Sequence, residues 1–524
     1  MRKIPINVSK KILADVSSGI YRTPANALKE IVSNAFDADA HRVHISTNAP
    51  YFDIFTCEDD GTGISAREFE EVMDRIGSSA KREQGNISTE TDRPIIGKIG
   101  IGLLAVAQIC RKFSFISKKK GTKKYFHATI DLKQFEEVES EKSYKSGKGD
   151  ITLGNCDIED DLEDEVGAPR HYTKIIMEEI KEAFRQKLLE EAKERLFGAK
   201  DLNTPAKTSD YFIQFINAVK SKKFNEISQY DLLIWELGLL CPIEYIDIDD
   251  GPLPDNKVLQ KEISRLKSYD FKVFVDGLEI RKPILFPTAT DLKKKGIDYK
   301  IYPPIYFNKV INDSKLKFTG YMFNQRKRIQ PAELQGVLIR IKGVGIGAYD
   351  RSFLRYPKSE GPMFSQLSGE LFVEQGLEEA LNIDRNSFNE THKHYLKVQE
   401  VLWEYLGDSK KGVFTDIRYR SKQRRDSEKK ELASAELEGM LSSIREIIGI
   451  DIKLARSHSK DKGPYTFNKT ERRLVFYQDP FWTRNQKEKL AREKIIIALS
   501  AAKIVSKTVN EFEENILKIL ACGK

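Results

Sequence analysis

Residues 27–38 constrain this chain more than any other stretch. Leu28, Ile31, Val32 and Ala35 recur at helical spacing and supply an apolar face. Between them Glu30, Asn34 and Asp37 stand at i, i+4 and i+7. At roughly 100° per residue these three fall within about 60° of one another on a helix. A carboxylate, an amide and a second carboxylate thus share one stripe. Spacing alone favours a solvated helix face, so the choice rests on the motifs downstream.

Two glycine motifs lie there. Short β-branched or aromatic runs at 43–46 and 53–57 read as strands, and Asp59-Asp60-Gly61-Thr62-Gly63-Ile64 follows the second of them. An Asp at a strand end can accept a hydrogen bond from an exocyclic amine. The two glycines let backbone approach a flat base closely. Further on, Gly97, Gly100, Ile101 and Gly102 lead into an apolar run, 101–110, that predicts a helix. Free N–H groups at such a helix start suit phosphate oxygens. The polar stretch between, 78–93, is rich in Ser, Gly, Thr and charge and reads as a loop. Each glycine motif alone is weak. The three motifs in this order turn the polar stripe into a nucleotide site.

The rest of the chain sets the scale. With 524 residues it is too long for one hydrophobic core, and about three domains are expected. Helices at 23–40 and 66–76 and strands at 113–117, 125–132 and 173–177 make an α/β sandwich of residues 1–190. Charged and apolar helices at 178–197 and 211–240 form a linker, 191–249. Longer strands at 271–275, 315–323, 336–341 and 369–374, closed by a helix at 387–406, read as a second α+β domain, 250–410. A mainly helical region, 411–524, ends the chain: a basic stretch at 418–430, helices at 431–447 and 485–520, and a strand at 473–477. The fold class is α+β.

Several chemistries are disfavoured. The five cysteines form no CxxC pair, and His392 and His394, two apart, would lie on different faces of a helix. Scattered cysteines fit a reducing compartment. The most apolar late run, 495–505, is interrupted by Lys503 and falls short of the ~20 residues of a membrane span. No signal peptide is visible, so a cytoplasmic protein without a membrane is expected. Gly343, Gly345 and Gly347 lack dinucleotide spacing and read as a turn. A net charge of +8, from 87 basic and 79 acidic residues, permits nucleic acid as a partner without arguing for it. Two basic clusters, 111–124 and 418–430, suit either solvent or phosphates.

The motif set resembles the GHKL ATPases: gyrase-type topoisomerases, the ninety-kilodalton heat-shock chaperones, MutL, MORC proteins and sensor histidine kinases. Ala27-Leu28-Lys29-Glu30-Ile31-Val32-Ser33-Asn34-Ala35-Phe36-Asp37-Ala38 is similar to their first motif. The resemblance implies a Bergerat-type sandwich that binds ATP and Mg²⁺, followed by an S5-like transducer domain. It implies Glu30 as the general base that activates water, and Asn34 as the Mg²⁺ ligand. Asp37 orients the helix of that motif or meets the nucleotide. Asp59 reads the adenine amino group, with Gly61 and Gly63 near the base. Gly97, Gly100, Ile101 and Gly102 form the lid hinge and phosphate cradle, and Ser78, Ser79 and Lys81 begin the lid. Thr173, in His171-Tyr172-Thr173-Lys174-Ile175, is similar to the family's late threonine.

Sensor kinases lack a water-activating Glu at the position of Glu30, so hydrolysis is favoured over protein phosphorylation. The spacing of Gly97, Gly100 and Gly102 is nearer the heat-shock and MORC form, although Ile99 and Leu103 stand where those families usually carry Phe. Residues 381–389 resemble the heat-shock middle domain, where an Arg reaches the γ-phosphate. Arg385 is the implied finger, with Lys327 in Gln325-Arg326-Lys327-Arg328 as a rival. The resulting expectation is an ATP-hydrolysing clamp that closes its lid and forms a homodimer, with the segment before Thr23, including Tyr21, exchanged. It would remodel a protein partner. The alternatives are a DNA-acting clamp of the MutL or MORC kind, such as one in bacterial genome defence, and a nucleotide-sensing scaffold with little turnover.

Overall fold

Thr23 starts the first helix of the computed structural model. Its Oγ1 accepts from the Asn26 N–H at 3.4 Å, and Pro24 occupies the first helical position, where no N–H is needed. The described residues are 23–74, 91, 93–96, 106–131, 155–163, 170–190, 227–246, 256–283, 298–382, 385–408, 410–457, 465–477 and 486–522. The chain divides into two compact units, Met1–Asp408 and Ser409–Lys524. Among the described residues no helix is long and apolar enough to cross a membrane.

The first unit is built on two sheets. Its first elements are α1 (Pro24–Asp37), β1 (Arg42–Ser46), β2 (Phe55–Asp59), α2 (Ala66–Asp74), β3 (Cys110–Lys118), β4 (Lys124–Asp131), β5 (Asn155–Glu163), β6 (Tyr172–Ile180) and α3 (Glu182–Glu190). Then come α4 (Gln229–Leu240), α5 (Lys257–Ser268), β7 (Lys272–Val275) and β8 (Leu278–Ile280). One eight-stranded sheet runs β5-β4-β3-β6-β2-β1-β7-β8. Strand β7 pairs parallel with β1, with Val43 opposite Val273, so residues beyond 250 complete the first sheet. Helix α1 packs against α4, and Thr23 Oγ1 donates to Glu236 at 2.9 Å.

The second sheet holds β9 (Tyr299–Ile301), β10 (Ile305–Ile311), β11 (Ser314–Gln325), β12 (Gly336–Ile341), β13 (Val344–Asp350) and β14 (Leu367–Gln375). They run β10-β11-β14-β12-β13, with β9 beside β11. Arg340 and Glu370 form a buried ion pair at 2.6 Å in this sheet, joined by the Tyr321 hydroxyl at 2.8 Å. Arg340 also donates to the carbonyl of Leu239 in α4, at 2.6 Å, so the second sheet grips the helix that supports α1.

Helix α6 (Lys393–Gly407) closes the unit. The second unit holds α7 (Val413–Ile448), β15 (Lys453–Ser457), β16 (Tyr465–Asn468), β17 (Arg473–Tyr477), α8 (Gln486–Val505) and α9 (Val509–Cys522). Leu437, Met440, Ile444, Leu474, Phe476, Ile497 and Ala501 are among its core residues. Gly449, in left-handed conformation at φ +67°, stops α7.

This α+β architecture follows the sequence expectation, with local corrections. The run 101–110 is not a helix to its end: Cys110 already begins β3, and 101–105 lie outside the described residues. Strand β6 continues to Ile180, so the helix expected from 178 begins at Glu182. The helix expected from 387 begins at Lys393, capped by His392. The basic stretch 418–430 is part of α7, and 485–520 is two helices broken at 506–508.

Arg93, at the end of the predicted loop, is wholly buried. It donates to the carbonyls of Ala40 at 2.5 Å and Tyr269 at 2.6 Å. Its guanidinium lies 5.0 Å from the Phe36 ring centre and 5.6 Å from that of Phe271. Burial lowers its pKa, against the pull of Asp39, Asp270 and Asp60. Arg93→Ala leaves a cavity and two carbonyls without these donors, and should cost about 3–5 kcal/mol. Denaturant unfolding checks this, and a loss under about 1 kcal/mol would contradict a structural role.

Candidate functional site

The polar stripe of α1 faces the loop that carries Arg385. Arg385 Nη1 donates to Glu30 Oε2 at 2.7 Å, and Nη2 donates to the carbonyl of Ile96 at 2.7 Å. Glu30 is 2% exposed and Arg385 9%. The neighbouring Lys29 Nζ stands 3.9 Å from Glu30 Oε1 and donates to Asn386 Oδ1 at 2.7 Å. Arg385 has φ +47°, a left-handed conformation that non-glycine residues rarely adopt. Arg385 neither caps a helix nor meets solvent, and its charge is spent on Glu30. Lys327, the rival cation, is exposed on the turn after β11.

Asp37, one stripe position on, has a different task. Its Oδ1 accepts from the Ile96 N–H at 2.7 Å. Lys342, in the turn between β12 and β13, donates to the carbonyl of Ile95 at 3.0 Å and lies 3.4 Å from Glu378. Residues 95–96 are thus held by α1 on one side and by two cations on the other. The glycine motif begins immediately after them, at Gly97. Asn34, between Glu30 and Asp37, is half-buried, and among the described residues its side-chain amide has no hydrogen-bonding partner. The amide's carbonyl oxygen is chemically apt for Mg²⁺, which takes oxygen ligands and leaves places for phosphate.

The second end of the site lies across three adjacent strands. Asp59 in β2 pairs with Thr173 in β6, which pairs with Ser117 in β3. Asp59 Oδ1 accepts from the Gly61 N–H at 2.9 Å. Burial pushes the Asp59 carboxyl up to about 7, with Asp60 and Glu58 adding to the rise and the Gly61 N–H opposing it. Gly63 has φ +62°, and a Cβ there would stand 2.2 Å from the Lys118 carbonyl oxygen. A Cβ on Gly61 would stand 2.8 Å from the Ala38 carbonyl oxygen and from Asp59. Both glycines are required by backbone packing alone, whatever they also offer a base.

The structure therefore gathers Glu30, Asn34, Asp37 and Arg385 at one place, and Asp59, Gly61, Gly63 and Thr173 at another beside it on the same helix and sheet. Ser79, Lys81, Gly97, Gly100, Ile101 and Gly102 lie outside the described residues. Sequence reasoning missed Ser117, whose Oγ accepts from the Ile64 N–H at 3.0 Å and meets Thr173 Oγ1 at 3.2 Å. It also missed Lys29, Lys342 and His171, whose Nδ1 lies 2.8 Å from the Gly61 carbonyl. Lys29 and His171 had a local signal, standing in the quoted motifs of Glu30 and Thr173.

The arrangement is a helix with a Glu-Asn-Asp stripe and, in the sheet beside it, a strand that ends in a buried acidic residue. Residues 21–157 match the family model described as "Histidine kinase-, DNA gyrase B-, and HSP90-like ATPase". Over these residues the chain is similar to the GHKL ATPases. It is 30% identical over 116 residues to a Herpetosiphon aurantiacus protein described as "Putative type II restriction enzyme HgiDII", covering 22% of this chain and 18% of that one. It is 29% identical over 124 residues to the DNA mismatch repair protein MutL of Rickettsia canadensis, covering 24% and 20%. MutL of Bacteroides fragilis is 28% identical over 120 residues, covering 23% and 19%. The chain thus spans a fifth or less of the length of these relatives.

A folded-state pKa raised at Asp59 has a defined sign. The unfolded chain releases this proton first, so stability from this group falls as pH rises from about 4 to about 7. Holding the charge above that range costs the fold about 4 kcal/mol. Asp59→Asn keeps the shape and an acceptor for Gly61 without the charge. It should raise Tm at about pH 8 by at least about 2 °C. Calorimetry at about pH 8 checks this, and a lowered Tm would mean the charge is compensated.

Proposed function

We propose that the chain binds ATP with Mg²⁺ in the first unit and hydrolyses it to ADP and phosphate. The observation that carries this reading is the contact between Arg385 and Glu30. A carboxylate buried on the nucleotide helix, beside an amide suited to Mg²⁺, fits a base that activates water. The adenine amino group would donate to Asp59, with Thr173 alongside. The residues outside the described set, Ser79, Lys81, Gly97, Gly100, Ile101 and Gly102, would supply the lid and phosphate cradle. Mg²⁺ on Asn34 would neutralise charge building on the phosphate oxygens.

In the structure Arg385 is bonded to Glu30. A terminal phosphate offers the guanidinium a stronger, doubly charged acceptor. Arg385 would transfer to it, stabilise the charge on the transferring phosphoryl group, and release the Glu30 carboxylate. Glu30 then takes a proton from water as its oxygen attacks the γ-phosphorus and the bond to ADP breaks. Because Arg385 also holds Ile96, the same exchange loosens the base of the lid. The division into ATP-binding (1–190), linker (191–249), transducer (250–410) and C-terminal (411–524) parts is proposed on this basis, with β7 and β8 as the seam between first and third.

Glu30→Ala should keep ATP binding and lose turnover by about 100-fold or more. Arg385→Ala should lose a similar factor while its ATP affinity stays within about threefold. Phosphate release and equilibrium binding check both. Unchanged hydrolysis in the first variant removes Glu30 as base, and a wild-type rate in the second turns attention to Lys327.

A clamp cycle with homodimerisation, in the cytoplasm, is the accompanying proposal. Mass photometry should show dimers with a non-hydrolysable ATP analogue and monomers without it. Monomers in both conditions would remove the clamp. As the object of the clamp, a protein client keeps the support of the segment 381–389. DNA gains support from relatives whose names place them in mismatch repair and restriction.

A further inference from the structure

Helix α7 holds the basic stretch 418–430. Every residue from 418 to 436 is exposed or half-buried, while Ile417 and Leu437 on either side are buried. About five turns of helix therefore stand outside any core. Within them Arg418, Lys422, Arg425 and Lys429 recur at i, i+4, i+7 and i+11, and all four are exposed. At about 100° and 1.5 Å per residue they line one stripe, about 60° wide and about 16 Å long. Asp426 and Glu428 point away from its centre line on opposite sides, by about 70° and about 90°. Arg420, off the stripe, is paired with Asp416 at 2.9 Å. The stripe ends before Glu436, which Lys494 holds at 2.6 Å.

The other basic cluster, on the hairpin of β3 and β4, differs. Lys119 pairs with Glu68 at 2.6 Å, and Lys112 and Lys124 lie 3.9 Å from Glu178 and Asp161. These three cations face carboxylates of their own sheet and neighbouring helix. The stripe on α7 keeps one sign along its whole length.

We propose that this stripe of α7 binds the phosphate backbone of a nucleic-acid duplex. Cations at intervals of about 4.5–6 Å along a stiff rod suit a stiff polyanion. A membrane surface would need an apolar face opposite the charges, and a single strand would need aromatic platforms for its bases. From 418 to 436 Tyr419 and Leu432 are the large apolar or aromatic side chains, and neither lies opposite the stripe, so a membrane lacks its apolar face and a single strand has one aromatic platform at most. The site gives the DNA reading of the clamp a place on the chain and rests on that reading for its purpose. The binding itself needs no nucleotide.

The test uses the full chain without ATP and fluorescence anisotropy with a 30-base-pair duplex, a single strand of equal length, and vesicles of phosphatidylserine and phosphatidylcholine. Arg418→Gln, Lys422→Gln, Arg425→Gln and Lys429→Gln are combined in one variant. Its duplex affinity should fall at least about tenfold, and the slope of log affinity against log salt should shrink by about 3–4. The Arg424→Gln and Lys430→Gln pair, off the stripe, should change the slope by about 1 or less. Circular dichroism confirms that the helix survives, and phosphate release reads the ATP site separately. No duplex binding by the wild type, an unchanged slope in the fourfold variant, or tighter binding to the single strand or the vesicles would overturn the proposal. Loss of ATP hydrolysis with duplex binding intact would sink the ATPase reading alone.

Discussion

The buried ion pair between Glu30 and Arg385 is the contact on which the first unit's organisation turns. The two residues are 355 positions apart in the chain and 2.7 Å apart in space. Glu30 lies on the helix that covers the first sheet, and Arg385 on a loop after the second. Removing one partner of such a buried pair leaves the other uncompensated, at a typical cost of about 3–5 kcal/mol. Any ligand that takes one partner away must therefore replace what that partner gives. A terminal phosphate can do so for Arg385, which is why the pair reads as a switch as well as a strut.

The same logic extends to residues 95–96. Asp37 takes the Ile96 N–H, Arg385 gives to the Ile96 carbonyl, and Lys342 gives to the Ile95 carbonyl. Two of these three partners come from beyond residue 340, and the third from α1. Arg93 then locks the preceding backbone between Phe36 and Phe271. A change at the Glu30–Asp37 face of α1 thus reaches the second sheet through three hydrogen bonds, with no long relay. The Arg340–Glu370 pair and its bond to Leu239 carry load between the same two sheets by way of α4.

Much of this was legible in the sequence where the signal was local. Helix α1 announces itself through its apolar face, and β17 through Arg473–Tyr477. The Asp59-Asp60-Gly61-Thr62-Gly63 turn is legible because two of its residues must be glycine for packing. The acidic edge strand β5 was not, since Asn155–Glu163 carries few apolar side chains to alternate. The parallel pairing of β7 with β1 joins residues about 230 apart, and no local pattern encodes such a partner. Ser117 faces Thr173 through sheet register alone. Arg385 was named from a resemblance. Its left-handed backbone and its bond to Glu30 are facts of tertiary structure, and the helical pattern of 387–406 pointed the wrong way at that boundary.

The central claim is that Arg385 leaves Glu30 for the terminal phosphate of ATP. A structure of the full chain with a non-hydrolysable ATP analogue and Mg²⁺ tests it most directly. The account predicts the Arg385 guanidinium on the γ-phosphate, Glu30 facing an ordered water, and the adenine amino group on Asp59. A nucleotide bound in this site with Arg385 still bonded to Glu30 would contradict it.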